Sequence, residues 1–360
     1  MVHYGDACLS LSDGIPVFYA FQDAEFDEEE AIAAIMPLLV SPSILIYHTS
    51  LAHVADGKGC RTADVAGDVY SSFKMREEDV QDVEGLFQPF SQERDRNARS
   101  TNQERLHSRV IRRLIDRLQK ETGVVILHSP LVDRIGNESN GQVLYGRRIP
   151  VPGPLSAIPH SFLYLGAEDD VVLRNFLLTF PHKDFLVYNP KVKKAKCVSI
   201  SDDKVLKRRH YLIEKARDAK VIGFVINSLN IAWIPDILKH LRNLVKLAGK
   251  KSYVISIGKM NEAKVLNFPE VDVFVAIACM QSSLIDSRDF MHPVITPHEL
   301  EIAMNPDYYL DHLILDFNQV LPGRDESIPV PHGSFSGDVS LVDNRIRRVG
   351  EGPMMEVWDV

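Results

Sequence analysis

Residues 221–279 read VIGFVINSLNIAWIPDILKHLRNLVKLAGKKSYVISIGKMNEAKVLNFPEVDVFVAIAC. The architecture of the whole chain follows from how this stretch alternates. It opens on VIGFVI, an apolar, β-branched run that reads as a buried strand. Ile234, Ile237, Leu238, Leu241, Leu244, Val245 and Ala248 then recur at helical spacing, with Pro235 at the start and Gly249 past the end. Pro in the first turn and Gly beyond the last is the asymmetry expected of a helix. Residues 253–257 and 271–278 return to continuous apolar runs, as strands covered on both faces do. Strand, helix, strand in alternation implies a parallel sheet with right-handed crossovers. The expected fold class is therefore α/β, built as repeated parallel-sheet units and not as one barrel.

The same grammar extends upstream. Residues 15–21 (IPVFYAF) and 44–48 (ILIYH) read as strands. Between them, Asp27, Glu28, Glu29 and Glu30 mark a helix N-terminus, where the macrodipole favours negative charge, and Pro37 closes it. Leu106, Val110, Leu114 and Leu118 form an amphipathic stripe that ends near Gly123. Residues 124–127, 162–166 and 185–188 read as strands, and 171–178 as a helix. Val205, Leu212, Ala216 and Ala219 form a second helical stripe. Residues 134–159 read as a Gly/Pro-rich loop. Residues 55–102 are charged and polar without clean periodicity, which marks a mobile insertion. Beyond residue 317 no periodic segment stands out, and the tail is expected to wrap over the surface or stay partly disordered.

Composition excludes several function classes. At 360 residues, two or three domains fit, with a core large enough to need no disulfide or metal staple. The charge of -8, from 41 basic and 49 acidic side chains, argues against a nucleic-acid partner. No apolar run of about 18 residues occurs, so no membrane span is expected. The first residues lack the basic start and apolar centre of a secretory signal, which points to a cytoplasmic protein. No GxGxxG, GxSxG or HExxH is present. Gly249-Lys250-Lys251 follows a helix, whereas a phosphate loop precedes one. The 13 histidines fall without metal spacing.

Four cysteines remain to be explained: Cys8, Cys60, Cys197 and Cys279. Cys279 ends the strand run VDVFVAIAC, and ligands of parallel α/β sheets gather at the carboxyl ends of strands. Cys8 lies in HYGDACLS ahead of a strand. Thiolates on separate units can meet in space and hold an iron–sulfur cluster, although two would not complete a four-iron cluster. Cys60 falls in the polar insertion and Cys197 in a basic edge segment, which makes both weaker candidates. In GQVLYGRR (141–148), the pair Arg147–Arg148 reads either as a surface basic pair or as an anion site, since guanidinium forks suit bidentate recognition. Lys204, Lys207, Arg208 and Arg209 read as a solvated helix face or as a surface that steers an acidic partner.

Taken together, HYGDACLS, GIPVFYAF, GQVLYGRRIP, SFLYLG, RRHYLIEKARDAKVIGFVINSLN, the stretch from His240 to Phe290 and HPVITPHELEIAMN resemble the diphthamide biosynthesis proteins. The likeness is to the second subunit of 2-(3-amino-3-carboxypropyl)histidine synthase. The resemblance implies three similar α/β domains around a central cleft. It implies an incomplete first domain at 1–52, with its sheet edge exposed, because relatives carry a further segment ahead of HYG. A polar insertion at 53–103, a second domain at 104–200, a third at 201–316 and a tail at 317–360 would follow. It also implies a complex in which a 3-amino-3-carboxypropyl group passes from S-adenosylmethionine to a histidine of elongation factor 2. The catalytic first subunit would carry S-adenosylmethionine and a 4Fe-4S cluster. The second subunit would support it, with a reductant protein serving the cluster. Cys279 matches the third-domain ligand position and Cys8 the cysteine of the HYG motif, so both are expected as metal ligands. At the middle ligand position Tyr145 and Gly146 stand in place of cysteine, which favours the accessory subunit. Two further readings stand beside this one: a metal-free structural partner, and a stand-alone nucleotide-binding α/β enzyme.

Overall fold

The structure, a computed structural model, describes residues 2–4, 9, 18–52, 54, 110–131, 142–151, 158–200, 204–227, 231, 233–258, 260–284, 290–305, 308, 312–323, 328, 338–342 and 346–347. The elements in chain order begin with β1 (Val2–Tyr4), β2 (Phe18–Ala20), α1 (Glu28–Ile35) and β3 (Ser43–Tyr47). Next come α2 (Val110–Thr122), β4 (Ile126–His128), β5 (Gln142–Leu144), β6 (Arg147–Ile149), β7 (Ser161–Leu165) and α3 (Val171–Thr179). They continue with β8 (Phe185–Asn189), β9 (Lys194–Val198), α4 (Lys204–Asp218), β10 (Val221–Ile226), α5 (Ile234–Leu247) and β11 (Lys251–Ser256). The last are α6 (Glu262–Val265), β12 (Val273–Ile277), β13 (Val294–Ile295), α7 (Pro297–Met304), β14 (Asp338–Val339) and β15 (Ile346–Arg347).

Two sheets carry the fold. One has the order β4-β3-β7-β8-β9, the other β11-β10-β12-β13. All pairings are parallel except β8 with β9, so the α/β expectation with parallel sheets holds. Each sheet has a point where the chain steps first to one side of a strand and then to the other. These lie between β3 and β7, and between β10 and β12, and such switch points open a crevice at the carboxyl ends of the strands.

The helices form for local reasons. Asp27 caps α1 by accepting from Glu30 N at 3.1 Å, and three glutamates fill the first turn. α2 buries Ile111, Leu114, Ile115 and Leu118 and stops at Gly123 with φ 71°. α5 buries Ile234, Ile237, Leu241, Leu244 and Val245, and each such side chain contributes about 1.5–3 kcal/mol. One hydrophobic core runs without a break from β3 and β7 through α3 to β10, β12 and α7.

Several elements depart from the sequence reading. The 134–159 loop contains an antiparallel hairpin, β5–β6, with Tyr145 at φ 50° and Gly146 at φ 70°. Positive φ at both central residues is what a type I′ turn requires. α7 is buried along its whole length and was not apparent from periodicity, because a helix buried on every side has no stripe. It is closed by a Thr296/Glu299 capping box with Pro297 in the first turn. Arg209 does not lie on a solvated face: it is buried and forms a bidentate ion pair with Glu299 of α7. Lys207 is exposed and Arg208 half-buried. Val320 and Leu321, counted with the tail by sequence, are buried in the core. Residues 15–17, Cys60, the Lys204 side chain, most of the 53–103 stretch and most of the tail lie outside the described residues.

Candidate metal-site cysteine and the helix behind it

Cys279 follows β12 by two residues, at the switch point of the four-stranded sheet. It is partly buried and packs against the main core. Its carbonyl accepts from Ser282 N at 2.8 Å and Ser283 N at 2.9 Å, which bends the chain sharply back. Its Sγ lies 3.5 Å from Ser282 Oγ. The thiol thus stands just past the carboxyl end of β12, beside the point where the strand order reverses. Cys8, the other expected ligand, lies outside the described residues. Leu9, next to it in sequence, is described, and it packs against the hairpin turn: a Cβ on Gly146 would sit 2.3 Å from Leu9 Cβ.

Helix α3 holds the Cys279 turn from behind. Asn175 is buried, and its Nδ2 donates to the carbonyl of Met280 at 3.0 Å. One turn later, Thr179 Oγ1 lies 2.5 Å from the hydroxyl of Tyr145 and 3.0 Å from Leu313 O. Residues four apart share a helix face, so a single face of α3 ties the Cys279 turn to the Tyr145–Gly146 hairpin. The Tyr145 ring meets Phe176 edge-on at 5.2 Å between centroids. Its hydroxyl also accepts from Leu315 N at 3.3 Å. Burial pushes the Tyr145 phenol well above its ordinary range, against the hydrogen bonds from Thr179 and Leu315. The Tyr145 hydroxyl is thus engaged by two partners within the protein, Thr179 and Leu315.

Arg147 is also buried, and is neither a surface cation nor an open anion fork. Its Nε and Nη2 donate to Tyr47 O at 3.1 and 2.6 Å, and its Nη1 to Tyr145 O at 2.8 Å. It therefore binds the hairpin to the carboxyl end of β3. Nearby, His48 Nδ1 lies 2.8 Å from Ser50 Oγ and Nε2 lies 3.9 Å from Asp170 Oδ1. Asp170 also accepts from Tyr164 Oη at 2.8 Å and Ala167 N at 2.9 Å. This cluster lies at the β3/β7 switch point and was not anticipated from sequence. Its only sequence signal is a histidine and an aspartate that each follow a strand.

Among the described residues, no group of three or more His, Cys, Asp or Glu side chains is placed to hold a metal ion. Cys279 alone fits a thiolate ligand, and the described residues do not complete a ligand set for a four-iron cluster. Cys197 is exposed on edge strand β9 and takes no part. No described helix is long and apolar enough to cross a membrane.

Known proteins resemble this chain in sequence and in fold. The second subunit of 2-(3-amino-3-carboxypropyl)histidine synthase from Danio rerio is 28% identical over 357 residues, covering 96% of this chain and 63% of its own. The Xenopus laevis protein of the same name is 40% identical over 210 residues, covering 57% of this chain and 44% of its own. The chain thus spans roughly half the length of the curated relatives it matches. In fold it is similar to the crystal structure of Dph2 from Pyrococcus horikoshii with a 4Fe-4S cluster, at TM-score 0.54 and 17% identity, covering 91% of this chain and 76% of that one. The diphthamide synthesis protein family model matches residues 82–311, well over half of the chain, and the chain belongs to that family.

Proposed function

We propose that the chain is the accessory second subunit of the synthase that transfers a 3-amino-3-carboxypropyl group from S-adenosylmethionine to a histidine of elongation factor 2. The observation that carries the accessory role is Tyr145. By resemblance it stands where a catalytic subunit would carry a cluster cysteine, and its phenol is buried and hydrogen-bonded to Thr179 and Leu315. The relatives over 96% and 57% of the chain bear the second-subunit name. In this reading the partner is the catalytic first subunit, which binds S-adenosylmethionine, and a reductant protein serves the complex in the cytoplasm. Cys279 and Cys8 are the thiolates this chain offers to a 4Fe-4S cluster, and further ligands come from outside the described residues. A bound cluster would supply electron transfer. The role of this chain's own residues is to fix the Cys279 turn through Asn175 and Ser282.

A metal-free scaffold is the second reading, and the completed hydrogen bonds of Tyr145 favour it. One experiment separates the two: iron per chain after anaerobic co-purification with a catalytic first subunit, for the parent and for Cys8→Ala and Cys279→Ala. Extra iron that disappears in both variants supports cluster ligation. Iron that is unchanged in the variants supports the scaffold. The complex should modify elongation factor 2 and this chain alone should not; turnover by the chain alone overturns the accessory role.

A further inference from the structure

The four-stranded sheet ends on β11, and nothing among the described residues pairs with the outer side of that strand. Lys251 N donates to Lys220 O at 2.9 Å and Ile257 N to Ile226 O at 3.2 Å. The odd-numbered residues therefore spend their backbone groups on β10. By alternation, Ser252, Val254 and Ser256 present theirs outward. Natural edges are blunted by proline, bulges or charge along the strand. This one carries a single charge, exposed Lys251 at its start, and beyond it exposes Tyr253 and Val254, each close to half accessible.

Helix α5 flanks this edge with cations. Lys239, Arg242 and Lys246 are exposed at steps of three and four along its outer face. They border an open groove of about 720 Å³ that also takes in Leu238, Ser252 and Val254. The chain as a whole carries a charge of -8, so three basic side chains beside an open strand edge run against its average.

We propose that the β11 edge docks an extended acidic segment of a partner protein, added in register as a further strand. Main-chain hydrogen bonds to Ser252, Val254 and Ser256 would give affinity, and carboxylates reaching the Lys239–Arg242–Lys246 row would fix the choice of partner. The proposal does not depend on the functional reading above.

The test uses the full chain and a labelled octapeptide of alternating glutamate and valine, with a lysine–valine peptide as control. The acidic peptide should bind, more weakly as salt rises, and should protect the amides of Ser252, Val254 and Ser256 from hydrogen exchange. Val254→Pro removes one outward N–H without touching the ladder to β10, and Val254→Lys blunts the edge with a change that does not restrict the backbone. Both should weaken binding about tenfold or more, as should Lys239→Glu with Arg242→Glu and Lys246→Glu. Four outcomes overturn the proposal: no binding; equal binding of the lysine peptide; amides already protected in the free chain, which would mean its own segments cover the edge; or self-association abolished by Val254→Lys, which would mean a second copy does.

Discussion

The hydroxyls of Tyr145 and Thr179 lie 2.5 Å apart in a fully buried site. Thr179 belongs to the helix that also holds Met280 through Asn175. The tyrosine of the hairpin turn is thus wired into the same helix that supports the Cys279 turn. Tyr145→Phe keeps the ring and its edge-on contact with Phe176 but leaves the Leu315 N–H without its acceptor. A buried donor left unmet costs about 1–3 kcal/mol. The urea midpoint should fall accordingly, with the slope of the transition unchanged.

The Arg209–Glu299 pair joins α4 to α7 out of contact with water. Arg209→Met strands a buried carboxylate and should destabilise the chain by about 3–5 kcal/mol. Adding Glu299→Gln removes that charge while an amide oxygen can still accept from Thr296 N in the capping box. The double variant should recover most of the loss. Thermal unfolding of the four proteins, analysed as a cycle, reads the coupling.

Burial pushes the Glu301 carboxyl above its ordinary value of 4.5, against the hydrogen bond from His240. The folded chain therefore holds this proton more tightly than the unfolded one. The resulting stabilisation is complete below the ordinary carboxylate range and is lost as pH rises through the raised value. Glu301→Gln has no such proton to lose. Its melting temperature relative to the parent should improve as pH climbs from about 4 towards 8. A difference that stays flat with pH would contradict the assignment.

Gly146 and Gly123 both have φ near 70°, but only Gly146 faces an obstacle. At Gly123 an added Cβ meets nothing within 4 Å, and Gly123→Ala should cost about 1–2 kcal/mol for the left-handed backbone alone. At Gly146 the methyl would sit 2.3 Å from Leu9 Cβ. Gly146→Ala should therefore cost clearly more, and it should raise protease sensitivity near Leu9. Equal losses in the two variants would rule out the Leu9 contact.

Much of the fold was legible in the sequence, and the part that was not has a common cause. β10, α5, β11 and β12 follow from apolar runs and from the Pro235 and Gly249 boundaries, all local signals. The hairpin was missed because its turn carries Tyr145 where a type I′ turn favours Asn or Gly. The tertiary hydrogen bonds that hold tyrosine in that conformation come from Thr179 and Leu315, 34 and 170 residues away. Arg209 passed for a surface cation because its partner lies 90 residues downstream. α7 did carry a local mark, Thr296 and Glu299 around Pro297, which a search for capping boxes would have found. At the candidate site, strand-end logic located Cys279, whereas the supporting Asn175 looked like any polar residue in an apolar helix.

The two polar positions one turn apart on α3, Asn175 and Thr179, have a dynamic corollary. Partners that meet on one helical turn lose their hydrogen bonds together, because that turn cannot fray at one of them and stay intact at the other. The Cys279 turn, the Tyr145 hairpin and the buried segment at Leu313–Leu315 should therefore open as one cooperative unit. Their slowest amides would then exchange at a shared rate, and a disturbance at any of the three would be felt equally at the other two.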